Sequence, residues 1–214
     1  MGYWYPQTYT SPSNATLSIA IYGWGTQRTI EWAQNKDVQS HLMGDKYIAF
    51  GGAGEDGKFS EDVLGGIRSA VRQGLLNDYD GIAFDIETIA PKLEGCFDDC
   101  FQELQNLGFK VLVTVNHATR RSSDDHDQLV RSFFTNENID ILAPQLYSFG
   151  FERHNDFTIA ASSTITWRDY SQVKAKVVAC VIHDHFYPDA QSHFQDHGVA
   201  LHGYIQWKPA SNRS

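Results

Sequence analysis

The 214-residue chain has few cysteines, no long apolar run and no cluster of basic residues, and each shortage excludes a class of protein. Three cysteines leave at least one thiol unpaired, which rules out a disulfide framework. No apolar run approaches the roughly 20 residues that a membrane-spanning helix needs. With 17 basic against 26 acidic side chains, and a net charge of −9, the chain lacks the basic surface that binds nucleic acid. We therefore expect neither a membrane nor a nucleic acid as partner.

The first five residues, MGYWY, show no charged leader followed by an apolar stretch, so the sequence predicts no secretory signal. The cellular location stays unknown, because a secreted protein could have lost its leader. Asn14 begins a glycosylation sequon that matters only in that case. Cys96 and Cys100 stand four apart in a predicted helix. They are either two free thiols or, after a local adjustment of the backbone, a disulfide.

The sequence does contain a regular alternation of strand-like and helix-like segments. Short apolar, β-branched and aromatic runs bounded by Gly, Asp, Asn or Pro predict eight buried strands. These runs are residues 2–5, 17–24, 46–51, 81–87, 110–116, 139–147, 174–182 and 199–207. Amphipathic helical patterns lie between them, most clearly over residues 60–75, where Ser60 can cap the first turn.

Strands that alternate with helices predict a parallel sheet covered by helices, an α/β fold. Eight units of about 27 residues suit a compact (β/α)8 barrel of the TIM type, a single domain over residues 1–214. Its first unit is reduced, because residues 6–16 leave too little chain between the first two strands for a full covering helix. An open doubly wound sheet is the alternative. In both folds the ligand site lies at the carboxyl ends of the strands.

A glycine-rich segment after the third predicted strand, residues 52–57 (GAGEDG), matches the dinucleotide-binding pattern G-x-G-x-x-G. Its charges oppose that function, since Glu55 and Asp56 would face a pyrophosphate. The next helix also starts only near Ser60, too late for its dipole to help. We interpret the segment as a loop and expect no cofactor.

The segment 80–87 (DGIAFDIE), which contains the fourth predicted strand, carries two acids at its end. Residues two apart on a strand point to one face, so Ala83, Asp85 and Glu87 project together. Crowding and burial shift the pKa of one carboxyl group, so that one acid can donate a proton while its neighbour stays charged. The plainer interpretation is a pair of acids that cap helices or form salt bridges.

Five segments resemble the family 18 glycoside hydrolases, the chitinases and endo-β-N-acetylglucosaminidases, and they cover most of the chain in the same order. Residues 80–87 are similar to the family signature D-G-x-D-x-D-x-E. The other segments are residues 2–3 (the first-strand G-Y), 49–52 (the third-strand S-x-G-G), 143–147 (the sixth-strand A-P-Q-x-Y) and 203–207 (an eighth strand that ends in Trp).

The resemblance implies retaining, substrate-assisted hydrolysis of β-1,4-linked glycans that contain N-acetylglucosamine, such as chitin. In that mechanism Glu87 is the acid that protonates the leaving glycosidic oxygen. Asp85 orients the N-acetyl group of the substrate, whose carbonyl oxygen attacks the anomeric carbon. Tyr147 hydrogen-bonds the same group, Gln145 binds nearby, and Trp207 forms the floor under the sugar ring.

Two alanines depart from the family pattern. The family holds the second Asp of its signature inside the barrel with the third-strand Ser and the first-strand Tyr. Here Ala83 and Ala49 replace the Asp and the Ser, while Tyr3 remains and is expected among the substrate-binding residues. Because both polar partners are absent together, neither is left unsatisfied. We expect an enzyme with reduced activity or a shifted pH profile, and the alternative is a sugar-binding protein without turnover.

Histidines support a second alternative, a metal-dependent hydrolase. His183 and His185 are two apart at the end of the seventh strand, and His117 ends the fifth. With Glu87 they could converge as metal ligands in the barrel mouth. Nothing in the sequence supplies a further ligand, so we expect no metal site.

Aromatic residues at the ends of the first two strands offer a surface for further sugar units. They are Trp4, Tyr5, Tyr22 and Trp24. Aromatic rings at strand ends serve equally often as core packing, so both interpretations stay open. The sequence leaves the oligomeric state undetermined.

Overall fold

The computed structural model describes residues 1–5, 11–118 and 124–207, which form a barrel of parallel strands covered by helices. The strands are β1 (Gly2–Tyr5), β2 (Leu17–Ala20), β3 (Asp45–Gly51), β4 (Gly81–Ile86), β5 (Lys110–Asn116), β6 (Ile141–Gln145), β7 (Lys176–Val177), β8 (Ala179–Val181) and β9 (Tyr204–Gln206). The helices are α1 (Thr26–Trp32), α2 (Lys36–His41), α3 (Glu61–Arg72), α4 (Glu94–Asn106), α5 (Asp124–Phe134) and α6 (Tyr187–Asp196). Two short 3-10 helices cover Trp167–Gln172 and Asp184–Phe186.

The strands close into a ring. Their order is β5, β4, β3, β2, β1, β9, β8 and β6, and β6 pairs back to β5. The short strands β7 and β8 both pair with β6 and follow each other directly, so they share one place in the barrel. The predicted (β/α)8 barrel is therefore confirmed. An open doubly wound sheet is excluded, because such a sheet keeps two unpaired edges.

The helical cover is uneven around the barrel. Residues 11–16, the described part of the first connection, contain no helix, and residues 6–10 lie outside the described ranges. The reduced first unit is confirmed. The sixth unit is reduced as well, since the 3-10 helix Trp167–Gln172 stands between β6 and β7 where a longer helix would be usual.

Alternating side chains divide the core into two clusters, as the pleat of a strand requires. The larger cluster lies between the strands and the helices and includes a group of phenylalanines; for example, the Phe84 and Phe101 ring centroids are 4.9 Å apart. The smaller cluster fills the barrel interior. Its members are Trp4, Leu17, Ile19, Tyr47, Ala49, Ala83, Leu112, Ala143, Tyr147, Val178, Cys180, Ile182 and Ile205.

The predicted helix over residues 60–75 is α3, with its N-terminal cap as expected. Ser60 Oγ accepts a hydrogen bond from the Val63 backbone N–H at 3.3 Å. Residues 52–57 form turns, and α3 begins only at Glu61, so the loop interpretation of the glycine-rich segment is confirmed.

All three cysteines are free thiols, so Cys96 and Cys100 are not bridged. Cys100 and Cys180 are buried. None of the helices in the described ranges combines the length and the apolar content needed to cross a membrane.

Candidate active site

The β4 strand carries an acid into the barrel near its carboxyl end. Ala83 belongs to the interior cluster, and the Asp85 side chain bonds to side chains of the two next strands in the same interior. Thr114 Oγ1 on β5 donates to Asp85 Oδ1 at 2.6 Å. Gln145 Nε2 on β6 donates to the same oxygen at 2.8 Å. Two neighbouring strands therefore hold this carboxylate from one side.

Burial changes the acidity of Asp85, whose exposed fraction is 6%. The loss of water around the carboxyl group raises the pKa of Asp85 to about 6. The hydrogen bonds from Thr114 and Gln145 act in the opposite direction, because both donors stabilise the charged form. The carboxyl group is therefore ionised at neutral pH and takes up a proton in mildly acidic solution.

Tyr147 follows β6 and brings a phenol to the same end of the barrel. Its ring is buried and stacks on Trp207, with centroids 6.1 Å apart and planes at 29°. Burial raises the pKa of Tyr147 well above its usual value, and the negative charges of Asp85 and Glu87 raise it further. The phenol stays protonated, so it can donate a hydrogen bond to an acceptor.

Glu87 lies just after β4, where the strand reaches the mouth of the barrel. Its side chain is partly exposed, in contrast to the buried Asp85. Both acids act electrostatically on Tyr147, so the three groups belong to one site. Two acids in such different surroundings can take different roles, one exchanging protons with a ligand and the other acting as an acceptor.

The orientation of the Gln145 amide is determined by a neighbour on β5. Asn116 Nδ2 donates to Gln145 Oε1 at 3.2 Å and to the Tyr147 carbonyl at 3.1 Å. The Gln145 nitrogen therefore faces Asp85. Sequence reasoning missed both Thr114 and Asn116. The available signal was their spacing, since two polar residues two apart in an otherwise apolar strand face the same side.

The expected position of Tyr3 is wrong. Tyr3 belongs to the outer cluster, where its hydroxyl donates to the His41 carbonyl at 3.1 Å and accepts from the Met43 N–H at 3.3 Å. Trp4 faces the interior instead and is fully buried. Because side chains alternate along a strand, only one of these two neighbours can point into the barrel.

The two alanines that depart from the family pattern are direct neighbours in the interior. Ala49 on β3 is the register partner of Ala83 on β4, and both belong to the cluster that contains Trp4. Neither side chain carries a polar atom, so the interior at this pair is apolar.

The histidines proposed as metal ligands do not converge. His117 Nε2 lies 2.6 Å from the Tyr170 hydroxyl, with the imidazole edge against Trp167 of the 3-10 helix outside the barrel. His183 and His185 stack on each other with centroids 5.4 Å apart. Across the described ranges, no three residues of the metal-binding types come together.

Of the four aromatic residues for which both sugar binding and core packing were open, Trp24 has the greatest exposure, at 48%. It lies against Gly52, where an added Cβ would come within 2.4 Å of the indole. The other three are buried: Trp4 lies in the interior, Tyr5 stacks on His41, and Tyr22 hydrogen-bonds Tyr79.

Sequence reasoning also missed an exposed pair of phenylalanines after β6. Phe149 and Phe151 are 75% and 71% exposed, and their rings stack with centroids 5.6 Å apart. Glu152 holds this turn, since its carboxylate accepts the backbone N–H groups of Ser148, Phe149 and Phe151. Gly150 packs so closely on Trp207 that a Cβ would lie 2.6 Å from the indole nitrogen. The exposed pair therefore adjoins the candidate site.

Comparison with solved structures finds the same barrel in family 18 chitinases. The catalytic domain of a GH18 chitinase from the fern Peteris ryukyuensis has a TM-score of 0.56 and 15% identity, over 96% of this chain and 91% of that one. A family 18 chitinase from Crocus vernus has a TM-score of 0.56 and 12% identity, over 97% and 92%. A malate synthase from Haloferax volcanii has a TM-score of 0.51 and 10% identity, over 97% and 72%. These likenesses concern the fold. No family profile and no curated protein sequence matches the chain.

Proposed function

We propose that the protein is a glycoside hydrolase that cleaves β-1,4-linked glycans containing N-acetylglucosamine, with retention of configuration at the anomeric carbon. One observation carries the proposal. A buried carboxylate, Asp85, is held by donors from two strands beside a protonated phenol, Tyr147, and a second acid, Glu87, at the carboxyl ends of β4 and β6. The barrel shared with the fern and Crocus chitinases supports the same proposal at the level of the fold.

The reaction uses the acetamido group of the substrate as the nucleophile. Glu87 donates its proton to the glycosidic oxygen as that bond breaks. The acetamido carbonyl oxygen attacks the anomeric carbon and forms a cyclic oxazolinium. Asp85 accepts the acetamido N–H, and its negative charge stabilises the positive charge that develops on the ring. Water then opens the intermediate while Glu87 takes the proton back.

Three neighbours assist this reaction. Tyr147 donates its hydroxyl to the acetamido oxygen, where its high pKa keeps it protonated. Trp207, stacked on Tyr147, lies under the C–H face of the sugar. Gln145 acts through Asp85, to which its amide donates, rather than on the sugar alone. Tyr3 takes no part, because it lies outside the barrel.

A sugar-binding protein without turnover is the second candidate. Its supporting observation is that alanines occupy positions 49 and 83, so the interior has no acid there that could exchange a proton with Asp85. Under this alternative the site binds the same glycans through the aromatic surface, and Glu87 makes a polar contact without transferring a proton.

Incubation with a chitooligosaccharide hexamer separates the two candidates. We expect products with the β-anomer in excess at early times by proton NMR. Glu87→Gln should reduce the rate at least about 100-fold and preserve binding by calorimetry. Glu137→Gln is the matched control, since Glu137 is exposed and pairs with Lys174 at the opposite end of the barrel. Binding without hydrolysis by the wild type would favour the second candidate, and the absence of both would overturn the two together.

A further inference from the structure

We propose that Thr114 on β5 is the positioning residue that holds the Asp85 carboxylate in place for the acetamido group, a task for which the interior supplies no second acid among the described residues. The inference rests on the proposed role of Asp85 in the reaction. It assigns a function to a strand that the sequence motifs leave out.

The geometry of the two strands brings these side chains together. Asp85 and Thr114 are register partners in the parallel pairing of β4 with β5, so both project to the same face. Thr114 is fully buried, and its hydroxyl donates to Asp85 Oδ1 at 2.6 Å. The β-branched side chain has few rotamers to choose from, so the hydroxyl loses little freedom when it makes this bond.

Thr114 also connects Asp85 to the neighbouring strand. Gln145 Nε2 lies 3.4 Å from the Thr114 hydroxyl and 2.8 Å from Asp85 Oδ1, so the three side chains form a closed triangle. Asn116 holds the far end of the Gln145 amide. Both donors meet a single carboxylate oxygen, so β5 and β6 together hold one side of the carboxyl group.

The β3 side of Asp85 supplies no side-chain donor. The register partner of Asp85 on β3 is Gly51, which has no side chain, and the next interior pair, Ala83 and Ala49, carries no polar side-chain atoms. A charged carboxylate inside a barrel needs hydrogen bonds to replace its lost water. Thr114 and Gln145 provide this replacement, and of the two the Thr114 hydroxyl lowers the pKa of Asp85 more.

Within the described part of the chain, three other titratable groups face Asp85 from the surrounding elements. Tyr147 after β6 and Cys180 on β8 are buried, and burial raises the pKa of each well above its usual value, so both are neutral in the working range. Glu87 comes directly after β4, the strand that carries Asp85, and its charge is removed in the test below by substitution with Gln. A change in the titration of Asp85 can then be assigned to the hydroxyl of Thr114.

The test compares Thr114→Val, which keeps the shape of the side chain but removes its hydroxyl, with Thr114→Ser, which restores a hydroxyl. In the Glu87→Gln background, carbon NMR of labelled aspartate follows the titration of Asp85 directly. We expect Thr114→Val to raise the pKa of Asp85 by about one unit and Thr114→Ser to return it close to the original value. Thr29→Val is the control, because the Thr29 hydroxyl on α1 is buried with no hydrogen-bond partner among the described residues, and its loss should leave the titration unchanged.

The same variants with Glu87 intact give the kinetic readout. In the pH profile of kcat, the acid limb should shift to higher pH by about one pH unit in Thr114→Val and return to its original position in Thr114→Ser. The change in KM should be smaller. If Thr114→Val does not fold, Thr114→Ala removes the same hydroxyl without adding a methyl group. An unchanged Asp85 titration in the hydroxyl-free variant would overturn the inference even in an active enzyme. An inactive wild type whose Asp85 titration still follows the Thr114 hydroxyl would instead overturn the proposed function.

Discussion

The Trp4 indole meets the Trp207 indole edge-on inside the barrel, with ring centroids 5.7 Å apart and planes at 73°. Trp207 in turn stacks on Tyr147, so an aromatic series runs from β1 to the phenol of the candidate site. Trp4 is fully buried, and it belongs to the same interior cluster as the small residues Ala49 and Ala83. The apolar interior therefore supports the aromatic rings of the candidate site from below.

Restoring the missing acid should harm the protein. In Ala83→Asp the new carboxylate would lie in an apolar interior next to Ala49, and Tyr3 faces the wrong way to bond it. We expect a loss of about 3 kcal/mol in the free energy of unfolding and no gain in kcat. Chemical denaturation and hexamer hydrolysis check this, with Ala200→Asp at an exposed position as control. A rise in kcat above the wild-type value would contradict the packing argument.

Replacing Asp85 by Asn should stabilise the fold at neutral pH while it impairs catalysis. The pKa of Asp85 is raised from 3.8 to about 6 by burial. Because the folded protein favours the neutral carboxyl group, the contribution of Asp85 to the free energy of unfolding is greatest below pH 3.8 and is lost as the pH rises through 6. The amide of Asp85→Asn cannot ionise, so this variant should gain about 1–3 kcal/mol in the free energy of unfolding at pH 8.

The same substitution should change little at pH 3.5, where the wild-type carboxyl group is already protonated. Denaturation curves at both pH values measure the difference, and Asp56→Asn in the exposed turn before α3 serves as control. An equal gain at both values would mean that the effect does not come from the charge.

The exposed phenylalanine pair should contribute to the binding of long glycans. Removing both rings in Phe149→Ala, Phe151→Ala should weaken hexamer binding about 10-fold, and dimer binding much less. Titration calorimetry in the Glu87→Gln background measures this without turnover. Leu107→Ala is a matched control, since Leu107 is 50% exposed and follows α4, at the end of the barrel away from the site. Equal losses for hexamer and dimer would argue against an extended binding surface.

Protonation of the buried His117 should lower the free energy of unfolding in acidic solution. Burial lowers the pKa of His117 to about 3 from 6.5, because the imidazole is enclosed against Tyr170 and Trp167. Because the folded protein holds His117 in its neutral form, this residue contributes fully to the free energy of unfolding above pH 6.5, and the contribution is lost as the pH falls toward 3. His117→Gln should therefore reduce the difference in unfolding free energy between pH 8 and pH 4 by about 1–3 kcal/mol. His185→Gln, at an exposed histidine, is the control, and an undiminished pH dependence in His117→Gln would disprove the assignment.

Much of the fold could be predicted because its signals are local. The cap at Ser60 and the inward direction of Ala83 and Asp85 follow from spacing alone, since the α-helix and the β-strand have fixed periods. The β1 strand shows where such reasoning ends. Its residues are glycine followed by three aromatics, so hydrophobicity does not alternate and nothing local tells whether Tyr3 or Trp4 faces inward.

The sequence by itself determined the alternation of strands and helices, the reduced first unit and the acids that end β4, because these depend on residues close together along the chain. Only the tertiary structure decided what surrounds those acids. Thr114 reaches Asp85 through the register of two paired strands, and Trp4 rather than Tyr3 faces the interior because β1 pairs with β2 on one side and β9 on the other. Contacts across a barrel depend on register and shared volume, and neither quantity is a property of any one segment.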